Sequence, residues 1–330
     1  MYKTALISLA LISLGAICLS TPLTHSKEYS AFLQYEMTYS PKFSTAEERI
    51  QRFAIFKANL VEIEKLNKKY PSATFGITKF ATWTRDEFEQ KMLIPKDMSL
   101  RSAKPPSDSH VEYEVTQEEL DTAPTYLDWR QKKVVTSIKD QDSCGSCWAF
   151  ASTAAIESQY AIHTRKLLNL SEQQLVDCEW VSQGCNFGFI NTAYDYVRDN
   201  GQFTYDSYPY QDEKTKCHKT SSDRVFIDGH RFVTANETAI AAYIAKYGPA
   251  AFAIICPEAL MHYKGGVLEV NDCLEQSTGL HAMVLIGYTQ DYWIIKNQWG
   301  TTWGENGFVR FKRGINMCDM ALQVDAPYIN

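Results

Sequence analysis

The stretch Gln141-Asp-Ser-Cys-Gly-Ser-Cys-Trp-Ala-Phe150 sets a thiol behind a glycine and small residues, directly ahead of an apolar helical run. Ala149, Phe150, Ala151, Ala154, Ala155 and Ile156 combine good helix propensity with an apolar face, so Cys147 is predicted at or just inside the N-terminus of a buried helix. The partial positive charge and unpaired N–H groups of such a terminus favour thiolate over thiol and can face a developing oxyanion. Cys147 is therefore the candidate nucleophile. Cys144 and Cys147 also have the CxxC spacing of a redox or zinc motif. A redox motif would want a short strand before it, and a tetrahedral zinc site a second close pair, which Cys178 and Cys185 do not supply. No metal and no cofactor is expected.

Towards the C-terminus, Tyr247-Gly-Pro249 leads into an apolar run from Ala250 to Ile255, followed by Tyr263-Lys-Gly265-Gly266-Val267. The alternation and the glycine pairs predict antiparallel strands with tight turns. His281 opens the apolar stretch 282–288, and Tyr292 to Asn297 is the next strand-like run, so a hairpin would make His281 and Asn297 neighbours. A lone histidine in an apolar strand is more often structural than functional. What reverses that reading is the company of Cys147 and Asn297 at a particular spacing.

Leu280-His281-Ala282 and Lys296-Asn297-Gln298-Trp299-Gly300 both fall inside the window of about 130 to 150 residues downstream of the cysteine motif. The three motifs together resemble the papain family of cysteine proteases. The resemblance implies an α+β fold in which a helical half and an antiparallel β-rich half face each other across a cleft, preceded by a helical inhibitory propeptide. It implies acyl transfer through a thioester on Cys147, with Cys147 and His281 as a thiolate–imidazolium pair and His281 as acid and base. By the same resemblance Asn297 orients the ring, Trp299 shields that hydrogen bond, and Gln141 is the side-chain oxyanion donor beside the Cys147 N–H. Gly188 matches the residue whose backbone pairs with an extended substrate. By resemblance the pocket for the residue two before the cut is lined by Phe189, Ile190, Ala253 and Ala282, with Leu280 beside it and Gln323 at its base, which implies a preference for apolar side chains. Two departures stand out: Asp142 and Phe187 both occupy positions where the family has glycine. Asp142 raises the thiol pKa if it points inward, and Phe187 narrows the non-primed wall.

Met1 to about Ser20 has Lys3, an apolar run and small residues near its end, which fits a secretory signal peptide better than a buried N-terminal helix. The run is too short to favour a membrane span, and no other segment is apolar enough, so a secreted or lysosomal/endosomal product is expected. From Lys27 to about Met92 the pattern is helical, with Glu47 to Lys69 uninterrupted before Pro71. Glu48, Arg52, Phe56, Asn59, Ile63 and Asn67 fall along one inclined stripe, so Phe56 and Ile63 can pack while Glu48 and Arg52 pair. Ahead of a papain-like core this string resembles the ERFNIN signature of cathepsin L-type propeptides. The second propeptide signature, Gly-x-Asn-x-Phe-x-Asp, reads here Gly76-Ile-Thr78-Lys-Phe80-Ala-Thr82. Thr82 cannot titrate, so an acid trigger is expected from Asp86, Glu87 and Glu89 or from a separate protease. The composition from Pro95 to Pro124 reads as an extended, poorly packed connector. Ala123-Pro124-Thr-Tyr-Leu-Asp128-Trp129-Arg130 resembles a mature N-terminus of the family, which makes 1–20 a signal peptide, 21–123 an inhibitory propeptide and 124–330 the catalytic domain, with the cut expected within several residues of Pro124.

Nine cysteines in a secreted chain should be mostly paired. Cys18 leaves with the signal, and the resemblance pairs Cys144 with Cys185, Cys178 with Cys217 and Cys273 with Cys318. Cys256 is left over at the end of an apolar run, which favours a buried structural thiol over a reactive one, with an intermolecular disulfide still open. Asn169-Leu-Ser171 and Asn236-Glu-Thr238 are glycosylation sequons, and Ser171 also reads as a helix cap.

The chain has 330 residues, 45% of them hydrophobic and 22% charged, with a formal net charge of -6 and no Lys/Arg cluster, so neither nucleic acid nor membrane is expected as a partner. The expected function is a cysteine endopeptidase made as a zymogen, monomeric, acting on proteins or peptides, inhibited by its own propeptide and by cystatin-type inhibitors. The alternatives are a catalytically impaired binder on the same fold, favoured by Asp142 and Phe187, and an exopeptidase, against which no cleft-blocking insertion is visible.

Overall fold

The computed structural model describes residues 26–95, 110–220, 222–233, 236–275 and 277–330. The expected signal peptide with Cys18, and part of the expected connector, 96–109, lie outside the described residues. Among the described residues no helix is long and apolar enough to cross a membrane.

The chain divides into two compact units at Ser44. In the first, Ser26 caps helix α1 (Lys27–Tyr39) by accepting from the Tyr29 N–H, and Phe32 stacks on Tyr35 and Phe43 at 6.2 Å. The second unit opens with α2 (Ala46–Lys69), capped by Thr45 and carrying Glu47 and Glu48 in its first turn and Lys68 and Lys69 in its last, which suits the helix dipole at both ends. The ERFNIN-like stripe of α2 does what its spacing predicts. Phe56 and Ile63 are buried, and Arg52 lies 3.6 Å from Glu48. Arg52 also donates to Glu87 at 2.7 Å and to the Thr82 carbonyl at 3.0 Å. Asn59 donates to the Ala81 and Trp83 carbonyls, and Asn67 exchanges hydrogen bonds with the Phe75 backbone. The polar members of the stripe thus hold strand β1 (Ala73–Phe75) and the turn leading to helix α3 (Arg85–Met92), which starts with a complete Thr84/Glu87 capping box.

There follow β2 (His110–Tyr113), α4 (Gln117–Thr122) and β3 (Leu127–Asp128), then the helical layer of α5 (Cys147–Thr164), α6 (Glu172–Cys178) and α7 (Ile190–Asn200). The short pair β4 (Gln202–Phe203) and β5 (Arg224–Val225) leads to β6 (Gly229–Val233), α8 (Glu237–Tyr247), β7 (Ala250–Pro257), β8 (Tyr263–Leu268), β9 (Ser277–Tyr288), β10 (Tyr292–Lys296), β11 (Phe308–Lys312) and β12 (Val324–Tyr328). The large sheet runs β1-β8-β11-β10-β9-β7-β12-β6-β2, with β3 on β9. Its pairs are antiparallel except β8 with β11 and β2 with β6. Helix α5 is buried along most of its length, Trp148, Ala151, Ala155 and Ile156 included, between the sheet and the other helices. This is the expected α+β arrangement of a helical half against a β-rich half.

The structure changes two sequence expectations. Gly265 and Gly266 form no tight turn. They lie within β8 against β1, and a Cβ at Gly266 (φ 85°) would come within 2.5 Å of the Ser72 carbonyl. Residues 110–122 are not an unpacked connector, because β2 adds to the sheet edge and α4 carries its own capping box. Glu305 pairs with Arg310 and accepts the Gly266 N–H at 3.0 Å, which fixes β8 beside β11. The disulfides are Cys144–Cys185, Cys178–Cys217 and Cys273–Cys318, and Cys256 is buried and belongs to none of the three.

Candidate active site

Cys147 is the first residue of α5 and is fully buried. Its sulfur is reached by the backbone N–H groups of Ala282, Trp148 and Cys147 itself. Ala282 follows His281 on β9, so the hairpin sheet brings the histidine strand to the tip of the helix. His281 Nε2 lies 2.8 Å from Asn297 Oδ1, because β9 and β10 pair antiparallel and Asn297 follows directly on β10. An amide oxygen only accepts, so Nε2 carries the proton and Nδ1 keeps its lone pair. That Nδ1 is buried and has no hydrogen-bond partner. The Trp299 ring stacks on the imidazole at 4.6 Å and closes that side to water.

Gln141 is equally buried. Its Oε1 accepts from Trp299 Nε1 at 3.1 Å and Gln298 Nε2 at 3.2 Å, which turns its NH₂ group the other way. There Nε2 donates to the Cys144 carbonyl at 2.8 Å and to the Met92 carbonyl, at the end of α3, at 3.0 Å. The next two residues continue across the site: Ile94 exchanges both backbone hydrogen bonds with Leu280, at 2.9 and 2.8 Å, and the Leu93 carbonyl passes close to Gly145. The Phe80 and Phe88 rings stand nearly perpendicular to that of Trp299, with centroids at 5.3 and 5.4 Å. Residues 80–94 therefore cover the thiol, the imidazole and the amide together.

That cover decides the charge state. Burial pushes the Cys147 thiol up to about 12 despite its three N–H donors, and pushes the His281 imidazole down to about 4 despite the Asn297 hydrogen bond. Both directions disfavour a thiolate–imidazolium pair while residues 80–94 exclude solvent from the two groups. Asp142 does not enter the problem. Its side chain is exposed, its backbone adopts the left-handed conformation (φ 51°) and its N–H bonds to Asp140, which is paired with Lys79.

Of the residues expected to line the pocket, Ala253 lies opposite Ala282 and donates its N–H to the Gln323 carbonyl at 3.1 Å, while Leu280 stands opposite Ile255. Gly188, Phe189 and Ile190 stand on the helical side at the start of α7. A Cβ on Gly188 would come within 2.2 Å of the Trp148 ring, so only glycine fits there. Phe187 is half-buried and edge-on to Phe189 at 5.8 Å. Asn169 is exposed, and exposed Asn236 caps α8 through its Oδ1. Among the described residues no group of three or more His, Cys, Asp or Glu is placed to hold a metal ion.

Sequence reasoning missed the contribution of Met92 and Gln298, and also the buried network behind the site. There Lys296 donates to Thr136 at 2.7 Å, Thr136 to Glu157 at 2.5 Å, and Lys139 bridges Glu157 at 2.8 Å and Glu172 at 2.5 Å. The adjacency of Lys296 to Asn297 was the available signal.

The sequence model described as "Papain family cysteine protease" matches residues 123–328, and that of the "Cathepsin propeptide inhibitor domain" matches residues 32–88. The chain is 36% identical to "Cysteine proteinase 2" of Leishmania pifanoi over 96% of its own length and 73% of the relative's. It is also 36% identical to "Cysteine proteinase 1" of Dictyostelium discoideum, covering 92% of this chain and 93% of that one. Among solved structures, digestive procathepsin L 3 of the Tenebrio molitor larval midgut superposes with a TM-score of 0.82 at 28% identity, covering 92% of this chain and 100% of that one. Recombinant stem bromelain precursor does so with a TM-score of 0.81 at 30% identity and the same coverage.

Proposed function

The chain belongs to the papain family of cysteine proteases, a cysteine endopeptidase made as a zymogen behind its own inhibitory propeptide, and on that premise we propose that Cys147, His281, Asn297 and Gln141 carry its chemistry. The observation that carries this assignment is the Met92 carbonyl on the Gln141 amide: the donor beside the thiol already holds a peptide carbonyl. Once residues 80–94 leave, water and substrate reach the pair. The proton of Cys147 then passes to Nδ1 of His281, the atom that the covered site leaves without a partner.

The sulfur adds to the scissile carbonyl, and the oxyanion takes hydrogen bonds from Gln141 Nε2 and the Cys147 N–H. His281 gives its proton to the leaving amine, whose departure leaves a thioester. It then takes a proton from water, which displaces the sulfur and releases the acid. Asn297 fixes the ring throughout, and Trp299 keeps water off that hydrogen bond. Leu280, Ala282, Ala253, Phe189 and Ile190, with Gln323 at the base, form the pocket for an apolar residue two before the cut, and Gly188 pairs with the substrate backbone. The exposed position of Asp142 removes the sequence argument for a damaged nucleophile.

The same reading assigns 1–20 as a signal peptide, 21–123 as the inhibitory propeptide, 124–330 as the catalytic domain, a secreted or lysosomal/endosomal location, glycans on Asn169 and Asn236, a monomer, and cystatin-type proteins as inhibitors. The test is turnover of blocked dipeptidyl-arginine reporters by the acid-matured chain. Leu or Phe two positions before the cut should give kcat/KM at least about tenfold above Asp or Gly, and Cys147→Ala should abolish turnover. Turnover that survives Cys147→Ala, or a preference for acidic residues, would sink the assignment.

A further inference from the structure

Asp140 immediately precedes Gln141, the side-chain donor beside the thiol, and pairs through an isolated antiparallel bridge with Trp299, whose ring stacks on His281. Its carboxylate therefore belongs to the Trp299 end of the site. Gly188, expected to meet the substrate backbone before the cut, packs instead against Trp148 on the helical side. His281 hands its proton to the leaving amine, so the peptide after the cut lies toward the imidazole and the ring stacked on it.

In the covered state the Asp140 carboxylate holds an ammonium group. Lys79 Nζ donates to Oδ1 at 2.5 Å and to Oδ2 at 2.7 Å. The carboxylate is fixed by backbone on both oxygens. The Asp142 N–H donates to Oδ1 at 3.0 Å from a left-handed turn, and Gly300 (φ 75°) passes so close that a Cβ there would come within 2.7 Å of Oδ2. Two further carboxylates share the place. Asp142 is raised by burial and by the Asp140 charge, is lowered by Lys79 and is raised again by Asp212. Asp212 in turn accepts from the Ser143 N–H at 2.7 Å and the Ser143 hydroxyl at 2.8 Å.

Among the described residues the cation paired with Asp140 is Lys79, which lies in the propeptide, within residues 32–88. Departure of the propeptide removes that cation and leaves the carboxylates of Asp140, Asp142 and Asp212 beside the path of the leaving peptide. It also takes the Phe80 ring away from Trp299, and Lys79 Nζ lies 5.3 Å from the centroid of that same ring. An apolar group on Trp299 and a cation on Asp140 are thus found together in the zymogen. A lysine or arginine of a substrate supplies both, with its methylene stem and its charged head. We infer that Asp140, supported by Asp142 and Asp212, is a specificity-determining residue that selects a lysine or arginine in one of the two positions directly after the cut, and that Lys79 takes that place in the zymogen. The inference rests on the protease reading and extends it across the cut from the apolar pocket.

The experiment measures kcat/KM of the matured enzyme on internally quenched peptides with Leu-Arg before the cut and Lys, Ala or Asp at the first or the second position after it. A pair between partly exposed charges is worth up to about fivefold and is weakened by salt, and a like charge is disfavoured to a similar extent. At one of the two positions Lys should therefore exceed Asp by about tenfold at low salt, with a smaller ratio at high salt. Asp140→Asn should lower kcat/KM for the Lys peptide and raise it for the Asp peptide, a crossing that a merely damaged enzyme does not produce. Equal cleavage of Lys and Asp peptides by the wild type at both positions overturns the inference, as does a ratio that Asp140→Asn leaves unchanged. Absence of turnover on every peptide counts against the protease reading instead, and the full-length chain then reads the ammonium site without turnover. There Lys79→Glu should speed alkylation of Cys147 by iodoacetamide at least about tenfold, and Asp140→Lys added to it should restore the slow rate. A rate that Lys79→Glu does not change, or that Asp140→Lys does not restore, overturns the site.

Discussion

Gln141 shows how one side chain is aimed. Trp299 and Gln298 occupy its oxygen, so its two N–H bonds point to the Cys144 carbonyl and to whatever carbonyl lies over the thiol, at present that of Met92. Gln141→Ala should lower kcat of the matured enzyme by roughly 10² to 10³ with little change in KM, because the donor acts on the oxyanion and not on the ground state. Equal losses in kcat/KM carried wholly by KM would contradict that role. The covered thiol gives a second prediction. With Cys147 pushed up to about 12, almost no thiolate exists at pH 7, so iodoacetamide should spare Cys147 in the intact zymogen and modify it at least about a hundredfold faster after maturation. Equal rates in the two forms would mean that the cover does not set its protonation. At this scale the helix starting at Cys147 and the hairpin joining His281 to Asn297 were legible, since both follow from local periodicity. Met92 was not, since nothing in an apolar helix end announces which distant amide its carbonyl will meet.

At the scale of elements, α2 and α3 make the propeptide a unit through Arg52, which ties Glu48, Glu87 and the Thr82 carbonyl together. Burial alone would raise Glu87, but Arg52 and the Thr84 N–H outweigh it and hold it below the ordinary carboxylate value. Its contribution is therefore present above about 4.5 and lost as pH falls through its lowered value, the sign required of an acid trigger. Glu87→Gln should convert to active enzyme at a higher pH than the wild type, measured by mass and turnover across a pH series; an unchanged conversion profile would remove Glu87 from the trigger. The helical stripe was readable because three- and four-residue spacing fixes which side chains share a face. The role of Gly265 and Gly266 was misread as a turn because a glycine pair signals close backbone approach without saying whether a turn or a neighbouring strand is responsible. The packing of residues 110–122 was hidden for a related reason: a polar, acidic composition describes the exposed side chains and conceals Glu119, the buried carboxylate that pairs with Lys246.

For the molecule as a whole, the two halves meet through the buried chain Lys296–Thr136–Glu157–Lys139–Glu172 behind Asn297. Burial, with the Glu157 charge adding to it, raises the Glu172 carboxyl to about 7 in spite of Lys139. A carboxyl raised in the folded state gives stability that is fully present below about 4.5 and is lost as pH rises through about 7. In a Cys147→Ala background, which cannot self-process, the chain with Glu172 intact should lose thermal stability relative to Glu172→Gln between pH 5 and 8. Parallel pH profiles would show that the network does not titrate there. Fold class was legible through the family resemblance carried by the Cys147, His281 and Asn297 motifs. The cross-half network was not, because its members lie in separate segments and only the closed fold shows that they are buried together.

The most direct measurement is to trap the acyl-enzyme. The matured chain is mixed with an activated ester of a blocked Leu-containing peptide, quenched in acid and mapped by mass spectrometry. An acyl group on the peptide that contains Cys147, lost in Cys147→Ala and accumulating without turnover in His281→Ala, is the predicted result. An acyl group on Cys256, or turnover with no covalent adduct and an intact response to both substitutions, would contradict nucleophilic catalysis by Cys147.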